Sequence, residues 1–310
     1  MSKFDAQITT SYGWDYFTQN WGEAWIKGYI FGHKHLQDFV EELYKIVEKN
    51  DEDYLSNYLS NIDGHYAIVI KTPKIFFASV DRVRSIPLFF LQNSSSIIVT
   101  DQPEKLNCEL TNLETNSGQQ DRLMLQMSGY CSGSSTLLNG VKQLQSGEYL
   151  KADKSNKLKI HPFYNYIPTN PNFDISKSQL KKTLENVTLN ILQKIIDSAD
   201  GRVIVVPLSG GYDSRLVASG FAYLGYKNVK CFSYGQKNNF ESLISKKVAK
   251  KLGYDWKFIK LTHGIIKKDY LSILHQSYIS FSNTFASVPV EHEFSACLLY
   301  TSDAADDVIS

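Results

Sequence analysis

Val203-Ile-Val-Val-Pro-Leu-Ser-Gly-Gly-Tyr-Asp-Ser-Arg215 is the stretch on which the reading of this chain turns. The apolar run 203–208 has the length of a buried strand, and Ser209-Gly210-Gly211 breaks it into a turn that opens a helix. Glycines at such a turn let backbone amides come close to an anion, and the helix N-terminus beyond favours negative charge. Ser209 and Ser214 add hydroxyl donors, and Asp213 places a carboxylate where a metal bound to phosphate would sit. A Walker loop carries Lys before its final Ser or Thr. None is present, so this is a phosphate loop of another kind.

The pattern around that loop is regular. Helix 178–198, strand 203–208, helix 214–224, strand 229–234, helix 240–252 ended by Gly253, strand 256–261 and helix 266–279 alternate along the chain. Such alternation predicts an α/β domain with a parallel sheet covered on both faces. Ligands of such sheets sit outside the carboxyl ends of the strands, where the Ser209 loop falls. The first half is different. A strand over 25–31 precedes a helix over 36–48, with Leu36, Phe39, Val40, Leu43, Ile46 and Val47 at helical spacing. Strands over 65–71, 75–80, 86–91 and 97–100, separated by short turn-like breaks, suggest an antiparallel meander. A short helix over 121–127 and a closing hairpin of 147–150 with 158–160 complete it. Residues 166–173, with two prolines and two asparagines, are the natural linker.

Composition sets the outer bounds. At 310 residues the chain is long enough for two domains with proper cores. With 33 basic and 32 acidic residues, it offers no electrostatic case for nucleic acid or an anionic membrane. Cys108, Cys131, Cys231 and Cys297 form no CxxC pair, so neither a zinc site nor a disulfide framework is suggested. The first residues lack the apolar core of a signal peptide, and no apolar run approaches the length of a membrane span. A soluble cytoplasmic protein is the expectation.

Ser209-Gly-Gly-Tyr-Asp-Ser214 resembles the PP-loop of ATP pyrophosphatases, and two separate regions together resemble the asparagine synthetase family. In the C-terminal half, Leu208, Ser209, Gly210, Gly211, Asp213 and Ser214 match the phosphate loop. Cys231-Phe-Ser-Tyr-Gly235 resembles the second-strand segment whose backbone contacts adenine, which brings in Ser233, Tyr234 and Gly235. Glu241 resembles the acidic residue opening the next helix. In the N-terminal half, Ile62-Asp-Gly64, Ala67, Asp81-Arg82 and Pro87-Leu-Phe89 resemble a class II glutamine amidotransferase domain. Thr136-Leu-Leu-Asn-Gly-Val141 and Gln145-Ser-Gly-Glu-Tyr-Leu150 match the segment joining the two domains.

The resemblance implies an Ntn-hydrolase-like α+β sandwich of antiparallel sheets over 1–165. It implies an adenine nucleotide α-hydrolase-like α/β domain over 174–296. The cofactors would be ATP and Mg²⁺, with Asp213 as metal ligand. A substrate carboxylate would attack the α-phosphorus, pyrophosphate would leave, and ammonia would capture the acyl-adenylate as an amide. No catalytic residue is assigned, and a homodimer is left open. Arg215 reads equally as a phosphate or substrate contact and as a solvated first-turn residue.

Two departures from the family stand out. Family members that hydrolyse glutamine use an N-terminal Cys whose own amine is the base; residue 2 here is Ser. The Asn-Gly-Glu triplet that anchors glutamine appears as Lys27-Gly28-Tyr29, and the segment before it is expected to be too short for the family's first strands. The N-terminal domain therefore reads as a degenerate glutaminase. The second departure is Cys297-Leu-Leu-Tyr-Thr-Ser-Asp-Ala-Ala-Asp306, the translation of TGT CTC TTA TAC ACA TCT GAC GCT GCC GAC. That string resembles a transposon end plus adapter from sequencing libraries. Residues 297–310 are thus expected to be a non-native tail, and Asp303, Asp306 and Asp307 carry no functional weight. The family's second acidic magnesium ligand and its catalytic lysine would follow later in the domain.

Weaker candidates have simpler explanations. His263 beside Gly264 suits a turn, Glu291-His292-Glu293 suits a solvated helix start, and Lys246, Lys247, Lys250 and Lys251 suit the polar face of a helix. The leading expectation is an amide-forming ligase acting on aspartate or a related carboxylate. The alternatives are an ATP-binding scaffold or regulatory protein without amidation, and another PP-loop transferase.

Overall fold

The computed structural model describes residues 3–110, 119–153, 157–167, 174–262, 264, 267, 270–289 and 294. The chain divides into two compact units, Met1–Pro168 with Phe281–Pro289, and Thr169–Ser280 with Val290–Ser310. The division after Pro168 falls within 166–173, whose residues 168–173 lie outside the described ones. So do Ser2, His263, 290–293 and 295–310, and with them the expectations made there.

In the first unit, β1 (Lys3–Gln7), β2 (Asp15–Gln19) and β3 (Gly22–Ile30) precede α1 (Leu36–Glu48) and α2 (Glu52–Ser60). There follow β4 (Gly64–Lys71), β5 (Ile75–Val80), β6 (Phe89–Gln92), β7 (Ser96–Thr100), α3 (Gln119–Ser128), β8 (Val141–Gln143), β9 (Glu148–Asp153) and β10 (Leu158–Pro162). They form a six-stranded antiparallel sheet, β10-β9-β5-β4-β3-β2, and a four-stranded sheet, β1-β7-β6-β8. β4 shows why the two sheets stack. Tyr66, Ile68 and Ile70 point to a core shared with Phe39, Leu43, Leu55 and Leu59 of α1 and α2. Ala67 and Val69 point to a second core with Phe90, Ile97 and Val99 of the smaller sheet. Side chains alternate along a strand, so a strand apolar at every position is one buried on both faces.

α1 supplies much of the first core. Phe39, Val40, Leu43 and Val47 are fully buried, each contributing about 1.5–3 kcal/mol. α2 was not anticipated, because only Leu55 and Leu59 of it are buried. Its signals were the N-cap Asp51, whose Oδ1 accepts the Tyr54 amide at 2.9 Å, and the four-residue spacing of the two leucines.

Three other expectations for this unit are corrected. The four strands from 65 to 100 are not one meander, since β4–β5 pair in one sheet and β6–β7 in the other. The crossing is held by the buried Asp81 carboxylate, which accepts the amides of Tyr66, Val83 and Ser85 at 3.1, 2.8 and 3.0 Å. The segment before Lys27 does contain early strands, because β1 and β2 are only five residues each. Finally, β1 pairs parallel to β7, so the smaller sheet is not wholly antiparallel.

The second unit contains α4 (Lys177–Ala199), β11 (Ile204–Pro207), α5 (Tyr212–Tyr223), β12 (Val229–Gly235), α6 (Phe240–Leu252) and β13 (Asp255–Lys260). α7 (Ile273–Ser282) begins in it; Gly264 and Lys267 are also helical, so the helix expected over 266–279 is interrupted by a turn at 270–272. The three strands are all parallel in the order β11-β12-β13, with Val206 opposite Cys231 and Cys231 opposite Trp256. Right-handed crossovers between strands in sequential order put α5 and α6 on the same face. One core accordingly joins Val206, Leu208, Val229 and Cys231 of the strands and loop to Ala218 and Phe221 of α5 and Ala249 of α6. α5 and α6 thus share one core, and Phe232 and Ile259 of the strands are buried outside it. α4 opens with a capping box between Ser176 and Gln179 and packs through Leu192 over Gly220.

Candidate functional site

The chain from Leu208 to Arg215 turns sharply at the carboxyl end of β11. Leu208 is buried, and its amide donates to Phe232 O at 2.8 Å, extending the pairing with β12 by one residue. Ser209 then leaves the sheet. Its amide donates to Ser214 Oγ at 3.0 Å, the two hydroxyls are 2.9 Å apart, and Ser209 Oγ accepts the Gly211 amide at 3.1 Å. The two serines thus bracket the turn across the first turn of α5. Gly211 is the N-cap and has no side chain to offer as a cap. Among the described residues, no acceptor is placed on the amides of Gly210, Tyr212 or Asp213. First-turn amides have no partner inside a helix, and such unpaired donors are the kind that can hold an anion.

The glycines fit this close geometry. A Cβ on Gly211 would lie 3.2 Å from Ser209 Oγ, and one on Gly210 would lie 3.4 Å from Glu241 Cα. The loop therefore backs onto the start of α6, where Asn239 caps the helix by accepting the Ser242 amide at 2.7 Å. Glu241, singled out in the sequence as opening this helix, stands beside the loop. Asp213 lies exposed in the first turn of α5. Among the described residues, no three His, Cys, Asp or Glu side chains gather to hold a metal ion. Arg215 donates from Nε to Gly211 O at 2.8 Å and lies over the Tyr212 ring at 4.6 Å. It fastens the loop to its own helix.

Ser233, Tyr234 and Gly235 end β12, next to the loop's strand. The Ser233 hydroxyl is buried and donates to Leu208 O at 2.6 Å, so it ties the second strand to the residue that opens the loop. It also meets Ser245 Oγ at 2.5 Å, and Trp256 Nε1 donates to both oxygens at 3.2 and 3.1 Å. The Ser245–Trp256 part of this network was missed in the sequence, where nothing marks the two residues as neighbours. Cys231 is buried two residues earlier in β12, and burial pushes its thiol up to about 11.

In the first unit, Gly28 of the Lys27-Gly28-Tyr29 triplet has φ +107°, and a Cβ on it would fall 1.9 Å from His65 O. The position demands glycine. Lys27 is half-buried with its Nζ 5.4 Å from the Phe281 ring centre. Burial holds its ammonium below the ordinary lysine value, partly offset by the Asp101 carboxylate. Asp101 itself accepts Thr9 N, Thr9 Oγ1 and Trp14 Nε1, each at 3.0 Å. Arg82 pairs with Asp63, and Asp81 is committed to backbone amides, so the Asp-Arg pair of the sequence holds turns together.

No protein-family model matches the chain, and no curated protein matches it. Among solved structures, it is similar to glutamine phosphoribosylpyrophosphate amidotransferase from B. subtilis complexed with ADP and GMP. That match has 14% identity and a TM-score of 0.29, covering 82% of this chain and 52% of the other. It is also similar to a structure described as the allosteric regulatory enzyme of purine biosynthesis, with 13% identity, a TM-score of 0.30, and 82% and 51% covered. The chain spans about half the length of each. No helix among the described residues is long and apolar enough to cross a membrane.

Proposed function

We propose that this chain is an amide-forming ligase of the asparagine synthetase type. In this reading it uses ATP to adenylate a carboxylate, which ammonia then captures, with AMP and pyrophosphate released. The observation that carries the reading is the Ser209–Ser214 turn, which follows a parallel strand, opens α5, and keeps the amides of Gly210, Tyr212 and Asp213 without internal acceptors. Preorganised amides at a helix N-terminus stabilise charge that develops on a leaving phosphate. The amides and the serine hydroxyls would hold the phosphates, Asp213 would hold Mg²⁺, and the ends of β11 and β12 would flank the adenine.

Free ammonia is the nitrogen source in this proposal. Lys27 stands where the family has the Asn of its glutamine-binding triplet, and a half-buried ammonium does not reproduce an amide's paired donor and acceptor. The test is twofold. Calorimetry with MgATP should show binding by the parent chain and loss of its magnesium-dependent part in Asp213→Asn, with an unchanged circular dichroism spectrum. In a chain continued through the family's second magnesium ligand and catalytic lysine, pyrophosphate release should require both a carboxylate such as aspartate and ammonium. Unchanged affinity in Asp213→Asn overturns the loop assignment, and release of glutamate from glutamine overturns the ammonia assignment.

A further inference from the structure

The chain returns to the first unit late. Phe281–Pro289 belongs to that unit, although the stretches on either side, Thr169–Ser280 and Val290–Ser310, belong to the second. The segment is therefore held in the first unit by non-covalent contacts. Its seat is the loop between α3 and β8. The amides of Cys131 and Leu137 donate to Ala286 O and Phe285 O, each at 2.7 Å, and the Val288 amide donates to Gly129 O at 2.9 Å. Ala286 is buried, and Phe285 packs against the cluster that holds Phe89, Leu91, Ile98 and Leu138.

The leading end of the segment covers a charge. The Phe281 ring meets Tyr12 edge-on with 4.9 Å between centres, and Lys27 Nζ lies 5.4 Å from the Phe281 centre. Lys27 shares its face of β3 with Trp25, which belongs to the core between the two sheets. Phe281 stands in the last turn of α7, so its ring keeps this place only while that helix is wound.

Two costs oppose the closed seat. Phe285 has φ +52°, a left-handed conformation that an aromatic residue adopts only where its surroundings hold it there. Lys27 pays for its cover with lost hydration, since burial holds its ammonium below the ordinary lysine value. A segment with few anchors and two opposing costs opens more readily than the core on which it lies.

We propose that Phe281–Pro289 is a lid on the first unit, which lifts from Tyr12 and Lys27 when α7 unwinds and so puts access to Lys27 under the control of that helix.

Hydroxyl-radical footprinting of the full chain, read by mass spectrometry, tests this through Tyr12 and without regard to the charge on Lys27. Ser277→Pro breaks α7 at an exposed position outside the first unit. It should raise Tyr12 oxidation at least about threefold, and amide exchange at Cys131 and Leu137 at least about tenfold. Tyr66 and Tyr149, fully buried in the core beneath α1 and α2, should stay protected. Ala286→Asp puts a carboxylate into the buried seat and should give the same pattern from the other end of the segment. Should it also expose Tyr66, Ser277→Pro alone decides. The proposal is overturned if Ser277→Pro frays α7, seen as faster exchange at Tyr278, while Tyr12 keeps its parent oxidation rate. Oxidation of Tyr66 and Tyr149 in step with Tyr12 in Ser277→Pro overturns it too, because the segment is then an inseparable part of the core.

Discussion

Ser214→Ala tests the bracket that shapes the Ser209–Ser214 turn. The substitution removes the acceptor of the Ser209 amide, at 3.0 Å, and the contact between the two hydroxyls, at 2.9 Å. At about 0.5–1.5 kcal/mol net per hydrogen bond, and with both serines half-exposed so that water can replace part of the loss, the second unit should lose about 1–2 kcal/mol. Ser209→Ala removes the same hydroxyl contact and the acceptor of the Gly211 amide. The shared contact is lost only once in the double variant. A double-mutant cycle should therefore show a coupling of about 0.5–1.5 kcal/mol. Urea unfolding of 5-fluorotryptophan-labelled protein can be followed by ¹⁹F NMR. In it, Trp256 reports the second unit, and Trp14, Trp21 and Trp25 report the first. Additive single effects, with a coupling below about 0.3 kcal/mol, would refute the bracket. In the same cycle MgATP affinity should fall in both single variants, because the turn's amides are no longer held in register.

Gly28→Ala should destabilise the first unit by about 3 kcal/mol or more, since its Cβ would overlap His65 O at a left-handed φ; a melting temperature within about 2 °C of the parent would contradict this. Asp81→Ala should cost about 3–5 kcal/mol in urea unfolding, because it leaves three amides at the sheet crossing without their acceptor. Lys27→Met should stabilise the chain at neutral pH, where the folded state carries a desolvated ammonium. The gain is full below the lowered folded pKa and fades as pH rises towards the ordinary value of about 10.4, so a gain that grows with pH would refute the desolvation account.

Legibility followed the range of the physics. Helices 36–48 and 240–252 were readable to the residue, because apolar spacing and a terminal Gly253 are local. The Ser209–Ser214 turn was readable for the same reason, as a strand, two glycines and a helix start are adjacent in the chain. The sequence did not show that the loop's hydroxyls would engage one another, because it specifies which donors are present and not which partner each finds. Nor did it show that Ser233 and Ser245, with Trp256 donating to both, would close a network beneath the loop.

What the sequence determined by itself was periodicity and local chemistry: alternating strands and helices, and a glycine turn that opens a helix at Ser209–Ser214. Only the tertiary structure decided which strands share a sheet and that α5 and α6 pack into one core. Strand pairing and helix docking depend on contacts between residues far apart in the chain. β1 could reach β7, and the chain could cross sheets at Asp81, only because burial on both sides made those pairings more favourable than the nearest hairpin.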